Sequence, residues 1–110
     1  MTKLEILKQY FGHEKFRSGQ EDIIDNILSG KDVLGIMPTG AGKSVCYQVP
    51  AMLMDGITIV ISPLISLMKD QVRSLTESGI PSAYINSSLS YRQLREVFKR
   101  AAEMQYKIIY

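Results

Sequence analysis

The sequence has few of the residues that hold small secreted or metal-stabilised domains together. Of its 110 residues one is cysteine, Cys46, and none is tryptophan. A single cysteine excludes an internal disulfide and a zinc site built from several cysteines. Nearly apolar runs such as residues 57–61 are far short of the ~20 residues that cross a bilayer. The first ten residues contain no apolar signal core, so we expect a cytoplasmic protein without a membrane partner.

The remaining composition is that of an ordinary globular chain. Hydrophobic residues make up 45% of the sequence and charged residues 22%, and the length fits one small domain. The net charge is +2 but unevenly distributed: residues 1–59 have six Lys/Arg and seven Asp/Glu, whereas residues 60–110 have seven and four. Most such basic clusters are solvated helix faces. A non-enzymatic nucleic-acid-binding module that uses the basic 91–107 region stays open as an alternative.

Helix-like and strand-like segments alternate along the chain. The pairs Thr2/Glu5, Ser18/Glu21 and Ser90/Gln93 have the spacing of a capping box, which predicts a helix start at each. We expect the first helix to turn Leu4 and Leu7 inward. Gly30 and Gly79 are placed to end the second helix and a helix over 64–77, and Pro50 is expected to kink or end a helix that starts near Lys43.

Four short apolar segments predict strands: residues 33–37, 57–61, 82–85 and 107–110. The second is rich in β-branched residues and is expected to be buried on both faces, as in a parallel sheet. Alternating strands and helices predict an α/β layered sandwich around a parallel sheet. Since a buried strand would begin just where the sequence stops, we expect the sequence to be a piece of a longer protein.

The strongest chemical signal is the stretch 37–44, MPTGAGKS, between a predicted strand and a predicted helix. Glycines let the backbone fold closely around a phosphate, and the following helix points its N–H groups at it. Lys43 would reach the β- and γ-phosphates, and the Ser44 hydroxyl would bind Mg²⁺. Met37 stands where the general phosphate-loop pattern has its first glycine. A different phosphate-loop enzyme, such as a small nucleotide kinase, stays open on these residues.

Three stretches together resemble the RecQ family of ATP-dependent DNA helicases. The phosphate loop without its leading glycine is similar to motif I of that helicase superfamily. Residues 11–20, FGHEKFRSGQ, resemble the upstream motif 0, and residues 60–72, VISPLISLMKDQV, resemble motif Ia. The order and spacing agree over most of residues 4–86. The resemblance implies the beginning of a truncated RecA-like three-layer domain, with a motif 0 helical region over 1–30 and a phosphate-loop α/β region over 31–110.

The resemblance also implies how an adenine nucleotide is bound. The Gln20 amide has the donor and acceptor that adenine N7 and N6 require. By resemblance His13 would stack on the base, although the family often has tyrosine there, and Arg17 would lie near it. The implied nucleotide contacts are His13, Arg17, Gln20, Thr39, Gly40, Ala41, Gly42, Lys43 and Ser44, with ATP and Mg²⁺ as cofactors and Lys43 as the catalytic residue.

DNA is the partner that the resemblance implies, as single strands and duplex junctions. In motif Ia, Ser62, Pro63, Ser66 and Lys69 would grip a strand phosphate backbone, and the polar loop 86–88 is a weaker candidate. The parent is expected to act as a monomer in recombination and repair, in the bacterial cytoplasm or a eukaryotic nucleus. The 110 residues contain no D-E-A-H-like motif, so we expect them to bind nucleotide without hydrolysing it.

Overall fold

The computed structural model describes residues 1–38, 40 and 42–110 of the chain. Two compact units make up the chain, Met1–Asp55 and Gly56–Tyr110, and each is described by itself. Among the described residues, no helix combines the length and apolar character needed to cross a membrane. The division of motif regions at 30/31 stays a prediction.

The first unit consists of three helices: α1 (Lys3–Phe11), α2 (Gln20–Leu28) and α3 (Val45–Leu53). Thr2 caps α1 as predicted, since its side chain accepts from the N–H of Glu5 at 3.1 Å. The predicted cap at Ser18 is wrong: α2 begins after Gly19, whose φ of 86° is left-handed, with no side-chain cap. Gly30 follows α2 with a left-handed backbone, as predicted for a helix stop.

The core of the first unit contains Ile6, Leu7, Ile24, Val45 and Val49, with Phe11, Phe16 and Met52 packed against it. Leu4 was expected in this core but is exposed, and Ile6 takes its place on the inner face of α1. Helix α3 begins at Val45, after Lys43, and continues through the buried Pro50 to Leu53, so Pro50 does not end it.

The predicted strand over residues 33–37 is not formed in the described chain. These residues have no regular secondary structure, and Leu34 and Ile36 are each 88% exposed. A parallel strand exists only where a neighbouring strand receives its backbone hydrogen bonds. The three strands described all lie in the second unit and pair with one another.

The second unit alternates strands and helices: β1 (Thr58–Ile59), α4 (Ile65–Glu77), β2 (Ser82–Ala83), α5 (Tyr91–Ala102) and β3 (Ile108–Ile109). The sheet has the order β1-β3-β2 and both pairings are parallel, which confirms the predicted α/β class. Ile108 is fully buried in the central strand, and Ile80 and Leu75 are buried in the same unit.

The expectation that residues 57–61 are buried on both faces is wrong. Ile59 is 72% exposed and Ile61 95% exposed, whereas Thr58 and Val60 are half-buried. The reason is that a parallel strand is buried on both faces only where other elements cover both, and the face of β1 that holds Ile59 and Ile61 is open to solvent.

Two isoleucines in the second unit provide a matched test of these different environments. Ile108→Ala should lower the free energy of unfolding by about 2–5 kcal/mol, because the side chain is fully buried. Ile61→Ala should change it by less than about 0.5 kcal/mol, because Ile61 is exposed. Urea unfolding of both variants measures the difference. An equal loss in both would contradict the exposed position of Ile61.

Candidate functional site

The first unit joins the motif 0 glutamine to the phosphate loop. Gln20 is the first residue of α2 and is only 3% exposed. Its side-chain Nε2 donates to the Gly42 carbonyl at 2.9 Å, and its Oε1 accepts from the Arg17 N–H at 2.7 Å. Both amide atoms that were predicted to recognise adenine therefore have protein partners here.

Arg17 makes a second connection to the loop. Its Nη1 donates to the Gly40 carbonyl at 2.6 Å, and the residue itself is exposed. Two side chains from one end of α2 thus hold two loop carbonyls. The motif gave no signal for these contacts, because it specifies residue types and not the atoms that each side chain meets.

The glycines of the loop have the left-handed backbone that favours glycine. Gly40 has φ +84° and Gly42 has φ +80°. A Cβ built at Gly42 would overlap Gln20 Nε2, whereas one at Gly40 would meet nothing within 4 Å. The close approach of Gln20 therefore requires glycine at position 42. Thr39 and Ala41, also predicted to contact nucleotide, lie outside the described residues.

A cavity of 480 Å³ lies beside these contacts. It is lined from one side by Arg17, Ser18, Gly19 and Ile23, and from the other by Ile36, Met37, Pro38 and Gly40. Ser18 and Gly19 were not predicted as site residues, although both stand inside the motif 0 stretch, directly before Gln20. His13 is exposed and does not line this cavity.

Lys43 and Ser44 follow the loop and precede α3. Lys43 is exposed and lines a second cavity of 240 Å³ with Cys46 and Tyr47 among others; this cavity adjoins the first, because Ile23 and Met37 line both. The Ser44 carbonyl accepts from the N–H of Gln48 at 3.0 Å, so the backbone is already helical at Ser44. The structure thus brings Arg17, Gln20, Gly40 and Gly42 together, and it directs Lys43 to the other cavity.

Cys46 lies behind the loop as a small buried residue, as predicted. Its Sγ is 3.8 Å from the Gly42 carbonyl and 3.7 Å from Met37 Sδ. Burial raises the pKa of the Cys46 thiol, so the thiol stays protonated near neutral pH. Within the described part of the chain, no group of three or more His, Cys, Asp or Glu could hold a metal ion.

The predicted DNA contacts lie in the second unit, at the start of α4. Ser62 is half-buried and its Oγ accepts from the Leu64 N–H at 3.2 Å, while Pro63, Ser66 and Lys69 are exposed. Ser66 and Lys69 are three residues apart and so share one face of α4. In the weaker candidate loop, Asn86 Oδ1 accepts from the Ser88 N–H at 2.8 Å, which closes a local turn.

Comparison with known proteins decides the family. The sequence model of the DEAD/DEAH box helicase family matches residues 17–110, which include the phosphate loop and motif Ia. The chain belongs to the DEAD/DEAH box helicase family. Its RecA-like phosphate-loop fold class follows from that membership.

Within the DEAD/DEAH box helicases, the chain is most usefully compared with RecQ proteins. It is 50% identical over 99% of its length to the ATP-dependent DNA helicase RecQ of Haemophilus influenzae, and 53% identical over 96% to that of Bacillus subtilis. An Arabidopsis thaliana protein, ATP-dependent DNA helicase Q-like 2, is 48% identical over 91%. The resemblance to RecQ helicases is confirmed. The chain spans 18% of the length of each bacterial relative and 14% of the plant one.

Alanine substitutions at Gly40 and Gly42 distinguish the effect of backbone strain from the effect of a contact with the Gln20 side chain. Gly40→Ala and Gly42→Ala should each lose about 1–2 kcal/mol of unfolding free energy, because both have positive φ. Gly42→Ala should lose more, since its Cβ meets Gln20 Nε2. Thermal or urea unfolding measures both losses.

The Gln20→Ala background provides the control for that comparison. With the Gln20 side chain removed, the extra loss in Gly42→Ala should disappear and the two glycine variants should become equal. An extra loss that persists without the Gln20 side chain would contradict the contact as its cause.

Proposed function

We propose that the chain is the adenine- and phosphate-binding part of a RecQ-type ATP-dependent DNA helicase. The observation that carries the proposal is the joining of motif 0 to the phosphate loop, where Gln20 Nε2 lies 2.9 Å from the Gly42 carbonyl. A base-recognising amide and a phosphate-binding loop are thus adjacent, as one bound nucleotide requires. The names and the identity of the RecQ relatives support the same proposal.

The residues present fit the phosphate groups of ATP. Gly40 and Gly42 have backbones that can approach a phosphate closely, and α3 begins just after the loop, with its N-terminal N–H groups and positive dipole end there. Lys43 is exposed and carries the positive charge that β- and γ-phosphates need. Bound ATP would supply a phosphoryl group whose transfer to water drives the helicase.

In our proposal Gln20 exchanges partners when it binds adenine. Its Oε1 leaves the Arg17 N–H and its Nε2 leaves the Gly42 carbonyl, and the two atoms turn to the base edge. Arg17, which now donates to the Gly40 carbonyl, would be placed near the base, and His13 would stack on it. The Ser44 side chain would hold Mg²⁺, and Lys43 would stabilise the negative charge of the phosphates.

Hydrolysis requires a carboxylate to position Mg²⁺ and the attacking water. The 110 residues contain no D-E-A-H-like motif, so we expect binding of nucleotide without turnover. In the whole protein, hydrolysis would separate duplex DNA, with single-stranded DNA held by Ser62, Pro63, Ser66 and Lys69. We further propose that the whole protein is a monomer that acts on DNA junctions, in the cytoplasm or nucleus.

Amide NMR titration with Mg-ADP tests the nucleotide site. Shifts should cluster at residues 13–20 and 40–44 in the unsubstituted chain. Lys43→Ala should weaken binding about 10- to 100-fold, because it removes a charged hydrogen-bond donor worth about 1.5–3 kcal/mol. Gln20→Ala should reduce the preference for ADP over GDP. Lys31→Ala, an exposed lysine in the same unit, is the matched control and should bind like the unsubstituted chain.

Two outcomes would contradict the proposal. One is a folded spectrum with no shift at millimolar Mg-ADP. The other is equal weakening in Lys31→Ala and Lys43→Ala, which would indicate a general effect of positive charge.

A further inference from the structure

Helix α5 presents a cationic face that the proposed function does not use. Arg92, Arg95 and Lys99 project within about 60° of one another, at 100° per residue. With Tyr91 and Glu96 they line a surface groove of 460 Å³. The carboxylate of Glu96 is 2.9 Å from Arg100 Nε. Among the described residues, no carboxylate lies within 4.0 Å of the other three cations.

The burial of the opposite side of α5 shows that the cationic face is directed to solvent. Leu94, Val97 and Ala101 are half-buried, and they lie on the side of the helix away from the cations. None of the twelve described residues of α5 is buried. The helix is therefore attached along one partly covered apolar stripe, and its cationic face is turned to solvent.

Three cations on this face match the excess positive charge of the second half of the chain. Residues 60–110 contain seven Lys/Arg and four Asp/Glu, an excess of three positive charges. That excess is the same as the combined charge of Arg92, Arg95 and Lys99, because the fourth cation of α5, Arg100, is paired with Glu96. Lys99 lies seven residues after Arg92, about 10.5 Å along the helix axis. The three cations therefore follow one line along the helix, as contacts with successive phosphates of one strand require.

Two exposed aromatic rings lie along one side of the cations. Tyr91 is 75% exposed and Phe98 57% exposed, and their positions on the helix differ by only about 20°. The Arg95 guanidinium lies 5.8 Å from the centre of the Tyr91 ring. Cations that follow a backbone, next to rings on which bases can stack, are the combination that binds unpaired nucleotides. Duplex DNA keeps its bases stacked inside and would leave these rings unused.

We propose that the exposed face of α5 is a binding surface for single-stranded DNA, additional to the residues at the start of α4. Arg92, Arg95 and Lys99 contact phosphates, and Tyr91 and Phe98 stack on bases. This inference rests on the proposed function, because the choice of DNA as the bound polyanion comes from the proposed helicase activity.

The salt dependence of DNA binding tests this surface. Fluorescence anisotropy of a labelled oligothymidylate of about 20 nucleotides is followed from about 50 to 200 mM NaCl with the 110-residue chain. Arg92→Gln, Arg95→Gln and Lys99→Gln combined should reduce the slope of log K against log salt by about 2, since each phosphate contact to a single strand contributes about 0.7. Glutamine favours helix, so circular dichroism should show unchanged helix content.

The matched control removes the same charge elsewhere. Lys8→Gln, Lys31→Gln and Arg73→Gln combined also remove three exposed cations, and the salt slope should stay that of the parent chain. Equal slopes in the two triple variants would overturn the proposal, because net charge alone would then account for binding. Phe98→Leu should weaken binding several-fold with the slope unchanged, and full affinity in that variant would overturn the stacking contact.

Two further measurements distinguish DNA binding at α5 from membrane binding and from nucleotide binding at the phosphate loop. Binding of the parent chain to phosphatidylserine vesicles but not to oligothymidylate would overturn the proposal in favour of a membrane surface. Mg-ADP binding should be unchanged in the α5 variant, whereas Lys43→Ala should bind nucleotide more weakly and keep the parent salt slope. The two proposals can therefore fail independently. Absence of Mg-ADP binding would contradict the proposed nucleotide site alone, and an unchanged salt slope in the α5 variant would contradict the proposed DNA surface alone.

Discussion

The buried amide of Gln20 is the contact on which the described site depends. It is 3% exposed and bridges the Arg17 N–H and the Gly42 carbonyl, so a single side chain ties the start of α2 to the loop before α3. A buried amide left without partners would cost about 1–3 kcal/mol, which favours this closed arrangement when no base is present. Any ligand that uses the same amide must replace both hydrogen bonds, so part of its binding free energy is offset by their loss.

Local signals predicted the chain well where the interacting residues are neighbours in sequence. The capping box at Ser90 and Gln93 forms with both of its hydrogen bonds, since every partner lies within one turn. The same pattern at Ser18 fails because Gly19, with a left-handed backbone, is the residue directly before the helix, so Ser18 lies one residue too early to cap it. Strands need distant partners, which apolar composition does not identify. Composition therefore predicted a strand at residues 33–37, which are irregular, and burial on both faces of β1, which has one face open to solvent.

The site was predictable as a set of residue types, and less so as a set of contacts. Motifs identified Gln20, Arg17 and the loop glycines, and the structure brings these together. Periodicity could not show that Gln20 meets the loop rather than solvent, nor that Lys43 lines a different cavity. The basic stretch of α5 was visible in the sequence as charge. The sequence did not show that three cations lie beside two exposed rings. That observation depends on which side of α5 is covered within the second unit.

The edge position of β1 has a consequence for handling the protein. The outer backbone side of β1 has no partner strand among the described residues, and Ile59 and Ile61 beside it are exposed, so a second chain could add a strand there. At high protein concentration such edge-to-edge association would compete with the separate chains. A lysine at position 59 or 61 is the kind of change by which natural sheets protect such an edge.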